Sequence, residues 1–260
     1  MLRSLYISKT GMDSSQFKLD VVTNNLANTN TTAFKKGRAN FNDLMYQVVR
    51  QPGSQSSQNT MLPTGLLVGT GATPVATERI FTQGNPQQTS NSFDLDINGR
   101  GFFNVQQPDG TIAYTRDGTF HTNDQGQLVT SLGFLVDPAI TVPQGAQNFS
   151  VSSDGIVTVK MPGQTAPQQI GQLQISDFIN PQGLESIGNN MYLETAASGT
   201  PTTGNPTADG LGTIMQGYLE ASNVNVTEEL INMIEAQRSY ELNSRGVKTS
   251  DEMLQRLAQL

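Results

Sequence analysis

Several things are missing or scarce in this 260-residue chain. It has no cysteine, so there is no disulfide framework and no thiol chemistry, and nothing would mispair in an oxidising compartment. With one histidine, His121, it cannot build a multi-histidine metal site. It has no run of 18 apolar residues, and the opening MLRSLYISKTGMDSS lacks the apolar stretch and small-residue cleavage site of a secretory signal. No membrane insertion is expected. A net charge of −7 leaves no basic excess to neutralise phosphates, which argues against nucleic acid as a partner. Only 35% of the residues are hydrophobic and 14% charged, while Gly, Pro, Ser, Thr, Asn and Gln are plentiful. That mixture suits turn-rich β modules and connecting segments.

Motifs that carry chemistry are also lacking. Asp94-Leu95-Asp96-Ile97-Asn98-Gly99 opens like a calcium-binding loop, but the twelfth position is Val105 where an acid is required. The glycine-rich Asn98 to Phe103 precedes a strand pattern, whereas a dinucleotide loop joins a strand to a helix. His121 has no G-x-S-x-G elbow beside it. Most of the acids Asp94, Asp96, Asp109, Asp117, Asp124, Asp137 and Asp154 sit in turn contexts, where Asp has a local conformational role. The expectation is a protein that is not an enzyme, with no catalytic residue, cofactor or metal.

What is present is a pattern at the two ends. Val226, Met233, Tyr240, Val247 and Leu254 recur every seven residues, with Leu230 between them, and no proline interrupts Val224 to Leu260. This predicts a helix over 222–260, roughly 50 Å long at about 1.5 Å per residue, started by Ser222 or Asn223. Glu228 and Glu229 favour its first turns. Polar Gln237, Ser244 and Asp251 are expected to punctuate the alternate seam positions. Leu5, Met12, Leu19 and Leu26 repeat the sevenfold spacing over 1–30. Residues 1 to 45 carry six basic and three acidic groups and residues 221 to 260 four basic and six acidic, so the ends attract weakly. Each stripe is then the near partner of the other.

Residues 31–74 read as an extended connecting segment. Within it Gln51 to Gly65 is almost without apolar residues and predicts a projecting loop or linker. Over 75–221 the texture changes to short alternating runs: Asp94 to Ile97, Phe102 to Val105, Ile112 to Tyr114, Gln127 to Val129, Ile156 to Val159, Gln172 to Ile175, Met191 to Leu193 and Thr213 to Leu219. Asp109-Gly110, Asp117-Gly118, Asp154-Gly155 and Asp124-Gln125-Gly126 supply hairpin turns. The fold class is therefore α+β, with N- and C-terminal helices forming a coiled-coil-like arm and a central, mostly antiparallel β domain. A secreted β-rich binding module would explain the hairpins but not the paired terminal stripes.

NNLANTNTTAFKK at Asn24 to Lys36 and SNVNVTEELINMIEAQRSYELNS at Ser222 to Ser244 resemble the two terminal signatures of the bacterial flagellar rod and hook family. Asn24, Asn25, Asn28 and Phe34 carry the first, and Asn223, Asn225 and Gln237 the second, with GRGFFNV at Gly99 to Val105 agreeing between them. The chain length and YQVVRQPGSQSSQNTMLP, containing Tyr46, Arg50, Pro52, Gly53, Leu62 and Pro63, resemble the distal-rod branch over proximal rod or hook subunits. The resemblance implies a self-polymer, a hollow stiff tube transmitting torque to the hook. Its inner assembly layer would be built from 1–30 and 222–260, with Leu5, Met12, Leu19, Leu26, Val226, Leu230, Met233, Tyr240, Val247 and Leu254 at subunit interfaces. The stretch 46–63 would brace a neighbouring subunit. Implied partners are the proximal rod and hook subunits, the surrounding outer-membrane and peptidoglycan rings and the flagellar export apparatus. The implied place is the periplasm-spanning rod of the basal body, reached without a cleaved signal peptide.

Overall fold

The computed structural model describes residues 2–53, 55–57, 60–61, 64–164 and 166–258. These form two α-helices, α1 (Leu2–Ala27) and α2 (Val226–Ala258), with antiparallel strands between them, so the architecture is α+β with a helix at each end. The chain divides into two compact units. The first comprises 1–27, 37–79 and 225–260, and the second 28–36 and 80–224. The sequence places 1–30 and 222–260 in one inner layer, and the first unit joins residues 37–79 to these helices.

In the first unit, Gly37–Asp43 pairs with Ala72–Arg79 across a bulge at Asn40/Phe41, and this ribbon packs on α1. Phe17 meets the edge of Phe41 at 6.4 Å between ring centroids. Close approach of backbone to helix explains the glycine before the second strand. Gly71 has φ +122°, and a Cβ there would lie 2.0 Å from Thr10 Oγ1.

The second unit holds a nine-stranded sheet, along whose main path run Phe120–Thr122, Leu128–Thr130, Leu135–Asp137, Phe102–Gln106, Ile112–Thr115, Met191–Leu193 and Glu185–Gly188. Ile175–Asp177 joins it at Phe102–Gln106 and pairs also with Thr202–Gly204. A three-stranded sheet, Asn148–Val151, Ile156–Lys160 and Gln168–Gln172, accompanies it. Successive strand residues point to opposite faces, so Phe102 and Phe103 serve two cores. Phe103 packs among Leu95, Ile97, Phe120, Leu128, Val157, Leu173 and Ile175, whereas Phe102 joins Tyr114, Phe178, Leu184 and Tyr192.

The turn prediction succeeds at three of four sites. Gly110, Gly126 and Gly155 have φ of +85°, +78° and +78°, and each closes a hairpin. At Asp117-Gly118 there is no such turn. Gly118 accepts a hydrogen bond from the Leu95 amide (3.1 Å), and a Cβ would fall 1.6 Å from the Leu95 carbonyl oxygen. Gly118→Ala must therefore push two backbone segments apart. We expect it to lower the unfolding midpoint by about 5 °C or more in a thermal melt, at the size of a core overpacking defect; an unchanged midpoint would contradict this packing. Two expected strands also divide. Gln172 to Ile175 spans the break at Leu173 between two strands of different sheets, and Thr213 to Leu219 is split at Gly217 (φ +74°).

Candidate assembly surfaces

The helices α1 and α2 run antiparallel with a defined register. Ser4 Oγ lies 3.2 Å from Ser250 Oγ, Gly246 faces Ser8, Gly11 faces Asn243, and the Asn25 side-chain amide donates to Glu229 Oε2 at 3.1 Å. Each advance along α1 is matched by an equal retreat along α2. Together with buried Ser15 and Val22, the α1 positions 4, 8, 11, 15, 22 and 25 follow the alternating four–three spacing of a coiled-coil seam. Across from them 229, 236, 243 and 250 carry Glu, Ala, Asn and Ser. Small and polar residues thus occupy the seam, with Ala236 2% exposed, and they bring the helix axes close while burying little apolar area. The seam on α2 runs one residue before the Gln237, Ser244 and Asp251 positions expected from sequence. A Cβ on Gly11 would lie 2.7–2.9 Å from the Asn243 side-chain atoms, so glycine there serves the close approach.

The two sevenfold apolar stripes lie beside the seam rather than in it. Leu5, Met12, Leu19 and Leu26 follow one residue after positions 4, 11, 18 and 25, and Met233, Tyr240, Val247 and Leu254 hold the equivalent place on α2. In an antiparallel pair these positions share one flank. The ribbon of strands packs elsewhere, on Thr10, Phe17 and Val21. Leu5, Met12, Leu19, Leu26, Met233, Val247 and Leu254 are accordingly half-buried, and Tyr240 is 41% exposed. Val226 continues the α2 stripe and is 41% exposed, and Leu230, Ile231 and Ile234, 44–54% exposed, widen it on the first turns of α2. Lys18 and Glu235 form an exposed ion pair at 3.6 Å, screened by solvent.

The stretch expected to be a loop or linker, 51–65, both lies between paired strands and contains them. Gln47–Arg50 pairs with Leu66–Val68, and Gln55–Ser57 with Thr60–Met61. Tyr46, Val48, Val49, Leu66 and Leu67 are all at least half exposed, as is Met45. Apolar side chains on both faces of a two-stranded ribbon have no core to enter. Arg50, Pro52 and Gly53 are exposed, Gly53 with φ +77°. Leu62 and Pro63 lie outside the described residues.

The family-signature asparagines are structural staples. In the first unit, Asn25 is 2% exposed; its amide group donates to the Gly37 carbonyl (2.9 Å) and its oxygen accepts from the Gly37 N–H (2.8 Å). Asn225 caps α2, its side-chain oxygen accepting from the Thr227 and Glu228 amides at 3.0 and 3.4 Å. The cap is thus Asn225, later than Ser222 or Asn223. In the second unit, Asn223 accepts from the Lys36 amide (2.7 Å) and donates to the carbonyls of Ile80 (2.8 Å) and Thr82 (3.1 Å), while its own N–H donates to the Phe34 carbonyl (3.3 Å). Phe34 is buried and Asn28 half-buried, with Asn28 Oδ1 accepting from Thr31 (3.2 Å). Asn24 and Gln237 are exposed.

Sequence reasoning missed the charged cluster beside Asn223. Lys35 Nζ donates to Glu220 Oε1 (2.6 Å) and to the Thr82 carbonyl (2.9 Å), and the Gly84 amide donates to the same Oε1 (2.7 Å). Arg116 lies 3.7 Å from Glu220 Oε2, donates to the carbonyls of Ile97 (3.2 Å) and Gly99 (2.7 Å), and stacks 5.3 Å above the Phe102 ring. Burial lowers the affinity of Lys35 and Arg116 for their protons, and the Glu220 charge opposes it in both. Lys35 and Glu220 are 185 residues apart, so no local pattern could reveal the pair. The seam had a visible signal in the sevenfold Ser, Gly and Asn spacing, which a search for apolar residues passes over.

The chain matches three families along its length. These are "Flagella basal body rod protein" over residues 5–35, "Flagellar hook protein FlgE/F/G D1 domain" over 96–159 and "Flagellar basal body rod FlgEFG protein C-terminal" over 215–260. It is 54% identical over 260 residues to the flagellar basal-body rod protein FlgG of Buchnera aphidicola subsp. Acyrthosiphon pisum, covering 100% of both chains. Identity to the FlgG proteins of Caulobacter vibrioides and Bacillus subtilis is 46% and 40%, in each case covering 100% of this chain and 99% of the relative.

Proposed function

The chain belongs to the FlgG family of flagellar basal-body rod proteins, and from that premise we propose that it is the subunit of the distal rod, polymerising helically through its terminal helices. It is a structural protein of the flagellar basal body, not an enzyme. The observation that carries the assembly reading is the displacement of the apolar stripes from the α1–α2 seam. A seam made largely of small and polar residues leaves Leu5, Met12, Leu19, Leu26, Val226, Met233, Tyr240, Val247 and Leu254 on one flank, widened by Leu230, Ile231 and Ile234 at the start of α2. That flank and the exposed ribbon around Tyr46 are two unlike apolar surfaces on one subunit, which support a head-to-tail contact that does not close and so generates a filament. In that contact 46–63 braces a neighbouring subunit.

In this reading the proximal rod subunits lie below, the hook subunit above and the outer-membrane and peptidoglycan rings around the tube. Subunits arrive through the flagellar export apparatus without cleavage of a signal peptide and assemble across the periplasm. The test is a strain lacking the chain, examined by electron microscopy of basal bodies and complemented with the 46–63 deletion. The null strain is expected to lack the distal rod and to be non-motile, and the deletion to yield a polymer of altered bending stiffness. A normal rod in the null strain would refute the assignment; unchanged stiffness and curvature in the deletion polymer would refute the brace.

A further inference from the structure

The second unit contains a buried carboxyl that neither the staples nor the assembly surfaces explain. Asp96 is 0% exposed, and among the described residues neither carboxyl oxygen makes a well-formed hydrogen bond, although the Ile97 backbone amide acts on it. Arg116 Nε and Glu220 Oε2 are likewise buried without one. Four such atoms on three interacting side chains are unusual, because buried polar groups are nearly always paired. Cost alone would remove an ionised, unpaired carboxylate from such a site.

The charges facing Asp96 come from each element packed about it. Arg116 follows the Ile112–Thr115 strand, Glu220 ends the Tyr218–Glu220 strand, and Lys35 lies in the segment after α1. Beyond them Arg116 is influenced by Asp177 and Tyr192. Burial, reinforced by the Glu220 charge, raises the affinity of Asp96 for its proton, and Arg116, the Ile97 amide and Lys35 oppose this without cancelling it. Glu220 already serves Lys35, the Gly84 amide and Arg116, with Arg116 the loosest of these contacts at 3.7 Å.

We propose that Asp96 is a proton switch within this cluster. Protonated, it leaves Glu220 to hold both Lys35 and Arg116. On losing its proton to solvent it becomes a second anion, repels Glu220 and draws Arg116 toward itself. Glu220 then holds less firmly the segments around Lys35, Gly84 and Tyr218–Glu220, which Asn223 also stitches. These are the segments by which the chain enters and leaves the second unit. The switch is independent of how subunits assemble.

The sign follows from linkage. The unfolded carboxyl has its ordinary value of 3.8 and the folded one a higher value, so the folded state binds more protons between the two. Stability from this group is full below 3.8 and is lost as pH rises through the folded value. Thermal unfolding of the full chain and of Asp96→Asn, followed from pH 4 upward, tests this. Across the active window the wild-type midpoint should fall relative to Asp96→Asn by about 2–5 °C per pH unit, the effect of one proton on a domain of this size. Parallel curves would overturn the switch. Should Asp96→Asn not fold, infrared spectra of the wild type just below its softening pH decide the matter. A protonated-carboxyl band that disappears on raising pH supports the proposal, and absence of that band overturns it.

Discussion

Met12→Asp and Met233→Asp are each expected to abolish swimming and leave basal bodies without a distal rod, while the second unit of the purified variant melts as in the wild type. Both methionines sit on the half-buried flank beside the α1–α2 seam, so a carboxylate there can still reach water in an isolated subunit. In the proposed filament that flank would be covered, and each subunit would place an unpaired charge in an apolar contact. Such a burial costs several kcal/mol. At about 1.4 kcal/mol per tenfold change, the subunit concentration needed for growth rises by more than roughly a hundredfold. Gln16→Asp is the control, because Gln16 is exposed and off the apolar flank. Its carrier should swim. Normal rods in both methionine variants would mean that the flank is not an assembly surface, whatever family the chain belongs to.

Glu220→Leu should have the largest effect on stability. The side chain is fully buried, neutralises Lys35 at 2.6 Å and receives the Gly84 amide. Without it two buried cations lose their shared anion, and breaking such a pair costs about 3–5 kcal/mol. The thermal midpoint should fall by roughly 6–20 °C for a domain of this size. Adding Lys35→Met removes one stranded charge and should recover part of the loss. The decisive measurement is the double-mutant cycle. Additive effects of the two substitutions would show that Lys35 and Glu220 contribute separately, not as a pair.

How legible this was from the chain alone depended on the range of each interaction. The helices were readable because a sevenfold repeat is local, and the hairpins at Gly110, Gly126 and Gly155 because a positive φ at glycine is local too. Gly118 looked the same in sequence but exists for the Leu95 backbone, which approaches from another strand. The seam was mislocated by one residue because apolar residues dominate the eye, whereas Ser4, Ser8, Gly11, Asn243 and Gly246 make the closer contact. Residues 51–65 read as a loop because polar residues fill them, and the strands Gln47–Arg50 and Leu66–Val68 pair only across that stretch. Lys35, Arg116, Asp96 and Glu220 were unreadable as a cluster, each being an ordinary charged residue until folding gathers them.

The register of α1 against α2 also has a kinetic consequence. Ser4 meets Ser250 and Asn25 meets Glu229 across more than 200 intervening residues, so the closing loop is nearly the whole chain. Contacts of such sequence separation pay their loop-closure entropy before any contact rewards it, and they form late. A ribosome releasing the chain, or a narrow conduit passing it end first, delivers the two helices at opposite extremes of the transit. In the proposed assembly the pair would act as an end-of-message check, because a product truncated before α2 has no partner for α1. Such a fragment would lack half of the proposed joining surface and fail to extend a filament, which would protect a long polymer from being capped by incomplete subunits.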